Sequence, residues 1–135
     1  MIITKETDYA LRIISALASG KIMSTHEICS QEFLPVQFTY NIIRKLNKAG
    51  YIKITRGRYG GNKLNIDLYQ TSLLDLLKVM DENFNICACV EYGFECKRKE
   101  KNKMCITHDY LMDIQRSLLK QFADCSLEKL LFGND

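Results

Sequence analysis

Apolar residues recur at helical spacing between Thr4 and Ser19, where Tyr9, Ala10, Ile13, Ile14 and Leu17 share one face and Gly20 supplies a stop. Ser24-Thr25-His26-Glu27 has the form of a capping box, in which a hydroxyl and a carboxylate each satisfy a free backbone amide, and it predicts a short helix to about Glu32. Pro35 suits the first turn of a third helix, because its missing N–H has no intrahelical partner there. Phe38, Ile42, Ile43 and Leu46 give that helix a buried stripe, and Gly50 ends it.

The period then changes. Tyr51 to Thr55 alternates, Arg56 to Gly61 is a glycine-containing turn, and Asn62 to Ile66 returns as a second strand, which together predict a hairpin. Ser72-Leu73-Leu74-Asp75 marks another helix start, with Leu73, Leu76, Leu77 and Met80 on its apolar face. After Asp81 the helical pattern fails. It resumes from about Thr107 to Ala123, with Leu111, Ile114, Leu118 and Phe122 on one stripe, and Ser126 to Leu131 adds a short final turn or helix. The fold class is therefore mainly α with a small β-hairpin.

Length and composition fit that picture. A chain of 135 residues, 47% hydrophobic and 26% charged, can build a core without disulfides. No apolar run approaches the roughly 20 residues of a membrane span, and MIITKETDYALR lacks the features of a secretion signal, so a cytoplasmic, non-membrane protein is expected. In a reducing compartment its six cysteines are thiols or metal ligands rather than a disulfide framework.

The net charge of +3 says little, but its distribution says more. From Phe33 to Ile66 there is no Asp or Glu, while Arg44, Lys45, Lys48, Lys53, Arg56, Arg58 and Lys63 all lie there. Three helices followed by a hairpin is the element order of a winged helix-turn-helix, whose third helix enters the major groove of double-stranded DNA and whose wing touches the backbone. Gln37, Thr39, Tyr40 and Asn41 are expected to be exposed near the start of that helix and to read base edges. Arg44, Lys45 and Lys48 follow on the same helix, and Arg56, Arg58 and Tyr59 occupy the wing turn. Arginine suits a wing because its flat guanidinium holds phosphate in a bidentate geometry.

A different chemistry follows the hairpin helix, in ICACVEYGFECKRKEKNKMCITH. Cys89, Cys96, Cys105 and His108 have the spacing C-x6-C-x8-C-x2-H, with Cys87 as an alternative first ligand. Three thiolates and an imidazole satisfy either a tetrahedral zinc or a pair of irons. The tight C-x2-C knuckles of a zinc ribbon are missing, and the long intervals suit a loop around a larger, partly exposed group. Lys97, Arg98, Lys99, Lys101 and Lys103 would offset the negative charge of such a group. Cys87 and Cys89 alternate with Ile86, Ala88 and Val90 in a strand-like run, whereas Cys29 and Cys125 are expected to be plain thiols or small buried hydrophobes. An enzyme is disfavoured: there is no Ser/His/Asp arrangement and no phosphate-binding glycine loop, and His26 and His108 are the only histidines.

Several stretches together resemble one known family. They are Tyr9-Ala10-Leu11-Arg12, the run from Ile43 through Lys48-Ala49-Gly50-Tyr51-Ile52, the wing Arg56-Gly57-Arg58-Tyr59-Gly60-Gly61, the helix from Leu73 ending in VMDE, and Cys105-Ile106-Thr107-His108. On these the chain resembles the Rrf-type bacterial winged helix-turn-helix transcription regulators, the family that includes IscR, NsrR and CymR, over nearly its whole length. The resemblance implies a homodimer paired through the long C-terminal helix, binding a pseudo-palindromic operator as a repressor or activator. It divides the chain into a DNA-binding domain (1–82), a cluster-binding loop (83–106) and a dimerisation helix with its tail (107–135). It also implies an iron–sulfur cluster that controls DNA binding in response to redox, nitric oxide or iron–sulfur status. Cys89, Cys96, Cys105 and His108 match the set that holds a [2Fe–2S] cluster, and Asp8 stands where a partner-chain ligand completes a [4Fe–4S] site in nitric-oxide-sensing members. The chain departs from the pattern in its longer Cys96 to Cys105 interval and its additional Cys87. A cluster-free thiol- or ligand-responsive regulator of the same fold and a zinc-stapled interaction domain are the alternatives.

Overall fold

Hydroxyl side chains start four of the helices. Thr4 accepts the Thr7 amide at 3.3 Å, and Ser24 accepts the Glu27 amide at 3.1 Å while the Glu27 carboxylate accepts the Ser24 amide at 3.3 Å. Ser72 and Asp75 exchange the same pair of bonds, and the Ser72 amide and hydroxyl, donating to Asp75 Oδ2 at 3.0 and 2.7 Å, hold that carboxyl below its ordinary range. Ser126 caps the last helix by accepting the Lys129 amide at 3.1 Å.

A computed structural model describes residues 2–80, 83–102 and 104–135. Asp81 and Glu82 of the VMDE ending, and Lys103 of the basic run, lie outside the described residues. The order is α1 (Lys5–Leu17), α2 (Thr25–Glu32), α3 (Val36–Lys48), β1 (Ile52–Thr55), β2 (Gly61–Leu64), α4 (Leu73–Met80), a 3-10 turn (Ala88–Val90), α5 (Lys97–Asn102), α6 (Ile106–Asp124) and α7 (Leu127–Phe132). The strands pair antiparallel with Ile52 opposite Leu64 and Thr55 opposite Gly61. This is a winged helix followed by one long helix. Among the described residues no helix is long and apolar enough to cross a membrane.

One core serves the first four helices and the hairpin. Ile13 and Leu17 of α1, Ile28 of α2, Ile42 and Leu46 of α3, Ile52 of β1 and Leu76 of α4 are all buried in it. Each such side chain contributes roughly 1.5–3 kcal/mol by leaving water. The tail joins the same core, because Leu127 of α7 is fully buried there. Backbone bonds fasten it: the Leu73 amide donates to the Cys125 carbonyl at 2.9 Å and the Leu127 amide to the Thr71 carbonyl at 2.8 Å.

Five expectations are corrected. Phe38 is 58% exposed rather than part of the buried stripe, and Thr39, expected to read bases, is fully buried. The reason is helical phase. Thr39, Ile42, Ile43 and Leu46 share one face, and Phe38 is rotated about 90° from its centre at 100° per residue. The Thr39 hydroxyl is satisfied in place by donating to the Pro35 carbonyl at 2.9 Å. On α6, Ile114 is 55% exposed while Leu111, Leu118 and Phe122 are half-buried. Gln115 takes the place in the covered stripe where Ile114 was expected, and α6 packs on α4. The strand-like run at Cys87–Val90 is a 3-10 turn, and the basic stretch Lys97–Asn102 is helical. That last segment has no apolar period to betray it; only the helix propensity of Lys, Arg and Glu hints at it.

Candidate functional site

Two surfaces carry chemistry. On the exposed side of α3, Asn41, Arg44, Lys45 and Lys48 follow the i, i+3, i+4, i+7 row and line one shallow depression of about 280 Å³. Gln37 and Tyr40 are exposed on the same helix, with His26 of α2 edge-on to the Tyr40 ring at 6.3 Å between centroids. Lys45 is not a free cation: its Nζ lies 2.6 Å from Glu6 Oε2 on α1. Arg44 and Lys48 make no ion pair among the described residues, so their charges on this face are not offset by a paired carboxylate.

The wing is held by close backbone approach. A Cβ at Gly60 would run into the Thr55 carbonyl, and one at Gly61, with φ of +151°, would come within 2.8 Å of the Met23 carbonyl oxygen. That closeness lets Met23 and Asn62 exchange backbone bonds of 3.0 and 2.7 Å. Buried Asn62 adds its side chain, donating from Nδ2 to the Met23 carbonyl at 3.1 Å and to Thr25 Oγ1 at 3.2 Å. The wing is thus pinned to the α1–α2 connection, leaving Arg56, Arg58 and Tyr59 exposed at its tip with the Arg58 guanidinium 5.8 Å from the Tyr59 ring centre. Sequence reasoning missed Asn62; a polar amide at the start of an otherwise alternating strand is the signal that could have found it.

The second surface surrounds a cavity of about 170 Å³ lined by Cys89, Cys96, Cys105 and His108, with Arg98, Lys99 and Thr107. Each donor comes from an element start. Cys89 sits in the 3-10 turn, the Cys96 carbonyl accepts the Glu100 amide at 3.0 Å to open α5, and the Cys105 carbonyl accepts the Asp109 amide at 3.1 Å to open α6. His108 follows in the first turn of α6, three residues from Cys105.

The structure separates Cys87 from Cys89. Cys89 faces the cavity, whereas Cys87 is not among its lining residues and its Sγ stands 3.5 Å from that of Cys89. The hydrogen bond shared with Cys87, which favours the protonated Cys89 thiol, then burial, then the neighbouring Cys87, Cys96 and Cys105 thiols push the Cys89 thiol above its ordinary pKa. Asp8 is not at this cavity; it pairs with Arg12 of its own helix at 3.0 Å. Among the described residues no three His, Cys, Asp or Glu side chains close together as one metal ion demands. The donors instead stand around a space, and three thiols with an imidazole are the donor chemistry of an iron–sulfur group.

Gln115 of α6 was also missed. Its buried Oε1 accepts the Ile86 amide at 3.0 Å and its Nε2 donates to Asn85 Oδ1 at 3.3 Å, tying the cysteine segment to the long helix. A glutamine at a core-facing helical position is the signal that pointed to it.

The whole fold is similar to that of CymR, the global cysteine regulator of Bacillus subtilis, with a TM-score of 0.74 and 21% identity over 98% of each chain. Protein aau3 of Rhizobium meliloti is 32% identical over 95 residues, which is 69% of this chain and 62% of that protein. The HTH-type transcriptional regulator NsrR of Bacillus subtilis is 28% identical over 94 residues, 67% of this chain and 64% of that one. The match thus spans just under two thirds of the length of these curated relatives. Residues 3–132 match the Rrf2 family, described as iron-dependent transcriptional regulators, and the chain belongs to that non-enzymatic family.

Proposed function

We propose that the protein is a dimeric DNA-binding transcription regulator whose operator binding is controlled by an iron–sulfur cluster. The observation that carries this reading is the cavity at which Cys89, Cys96, Cys105 and His108 meet, beside Arg98 and Lys99. In this reading residues 1–82 bind DNA, residues 83–106 hold the cluster, and residues 107–135 carry the dimer helix and tail. Arg44 and Lys48 on α3, with Arg56 and Arg58 in the wing, engage phosphate, while Gln37, Tyr40 and Asn41 face the bases.

The exposed apolar row Ile106, Tyr110 and Ile114 on α6 suits a second copy of the same helix. The four donors fit a [2Fe–2S] group, which would supply reversible one-electron and ligand-exchange chemistry when bound. The basic side chains beside them compensate its negative charge. Asp8 as a partner-chain donor requires release from Arg12, so His108 is the favoured fourth donor. The state of the site acts on α6 through Cys105 and His108 at its start, and a change there shifts the population of DNA-competent dimers.

One preparation without oxygen, with iron, sulfide and zinc measured together and DNA affinity measured before and after metal removal, tests the reading. Equal iron and sulfide with altered affinity is expected. One zinc per chain with unchanged affinity after its removal would favour the zinc-stapled alternative, and a metal-free protein that still binds DNA under every loading condition would favour the cluster-free one. In the same DNA assay Arg56→Ala should weaken binding and lower the salt slope by about 0.9, the value of one phosphate contact.

A further inference from the structure

The cysteine segment carries one thiol more than the four-donor site uses. Cys87 and Cys89 are both free and half-buried, and their sulfurs are 3.5 Å apart, yet only Cys89 lines the cavity. The local backbone explains their closeness. Residues at i and i+2 of an extended chain stand about 6.6–7.2 Å apart at Cα, at or beyond the upper edge of the roughly 4.4–6.8 Å that disulfides bridge. Cys87 itself is extended, with φ of −158° and ψ of 165°, but the 3-10 turn begins at Ala88 and shortens the span to Cys89.

We propose that Cys87 and Cys89 form an oxidation site for hydroperoxides, closing to a disulfide that withdraws Cys89 from the donor set. With hydrogen peroxide the step balances without another reactant. One cysteine sulfur attacks an oxygen, the O–O bond breaks, and the distal oxygen leaves as water. The other sulfur then displaces the oxygen held as sulfenic acid, which leaves as a second water as the S–S bond forms. The two thiols lose two protons and two electrons, which the peroxide takes up. Among the described residues this is the pair whose sulfurs are already in contact. Thiol exchange with a reductant reverses the bond.

Disulfide formation is a property of the metal-free chain, and only its consequence rests on the cluster reading. The test uses the full chain, prepared without metal or oxygen and treated with one equivalent of hydrogen peroxide. Mass mapping without reduction should show loss of two of the six thiols and a Cys87–Cys89 link, which the variant Cys87→Ser lacks. Oxidised wild type should then fail to take up iron and sulfide until dithiothreitol is added, whereas Cys87→Ser should load before and after the same dose. Oxidation that joins Cys89 to Cys96 or Cys105, or that stops at sulfenic or sulfinic acid, overturns the proposal. So does an untreated Cys87→Ser chain that fails to load where wild type loads, because Cys87 is then itself a ligand. A chain that forms the Cys87–Cys89 bond but never takes up iron and sulfide upholds the oxidation site and sinks the cluster reading.

Discussion

Between Thr7 and Met80 every helix and β1 send side chains into one apolar cluster, whereas between Asn83 and Ser126 the only buried residue among those described is Gln115. The first region is held by area removed from water, a force spread over many side chains and indifferent to direction. The second packs α6 on α4 through half-buried side chains and ties Asn85 and Ile86 to that helix by directed hydrogen bonds with the one buried amide, Gln115. Such a segment opens at low free-energy cost without unfolding what lies beside it. A DNA-reading surface benefits from the first arrangement, because base and phosphate contacts demand fixed positions. If the second region senses, as proposed above, the second arrangement would serve it, because its conformation would then have to answer to what it binds.

The largest expected effect comes from cutting into the apolar cluster. Leu46→Ala should lower global stability by about 2–5 kcal/mol, read from urea or thermal unfolding, because Leu46 is fully buried and its loss leaves a cavity. Amide exchange in the cysteine segment should change little at temperatures where the variant remains folded.

A smaller effect, confined to the same region, is alkaline. Burial first, and the Asp75 carboxylate second, push the Tyr51 hydroxyl up to about 12. The folded value lies above the unfolded one, so the neutral tyrosine's contribution is complete below pH 10 and disappears as pH rises through about 12. It amounts to roughly 2–3 kcal/mol, since each tenfold gain in proton affinity on folding corresponds to about 1.4 kcal/mol. Unfolding of wild type and Tyr51→Phe compared at pH 8 and above 12 should show this extra loss in wild type alone.

The smallest effect is the most discriminating. Gln115→Leu strands the Ile86 amide and should loosen the cysteine segment by about 1–3 kcal/mol, seen as faster amide exchange near Asn85 and Ile86. The melting of the helical core should barely move. A fall as large as that of Leu46→Ala would show that the two regions are one cooperative unit and that their contrast in packing has no thermodynamic meaning.

The same contrast decides what was legible in the sequence. Capping at Ser24 and Ser72, the alternating hairpin and the core stripes follow from local rules, because hydroxyl caps and apolar periods act within a few residues. Phe38 and Thr39 exchanged roles because one residue of helical phase, about 100°, separates core from surface. The four proposed donors were singled out by residue type and spacing, and their lining of one cavity was not legible, since it depends on three element starts coming together in space. That Cys89 and not Cys87 lines the cavity goes with a single 3-10 turn, which alternation in a five-residue apolar run disguises as a strand.

The fastening of α7 has a mechanical consequence. Leu127 and the backbone bonds around Ser72 and Thr71 fix the far end of α6 to the helical core, while Cys105 and His108 stand at its near end. The helix is therefore a lever with its pivot beside the DNA-reading body and its handle at the cysteine cavity. Nineteen residues give an arm of about 28 Å at 1.5 Å per residue. A tilt of only about 5° at the pivot carries the handle roughly 2.5 Å on such an arm, comparable to a metal–ligand bond length. On the proposed reading, displacements of atomic size at the cavity would become changes of angle at Leu127, and two such levers paired across a dimer would set the angle between their DNA-reading bodies.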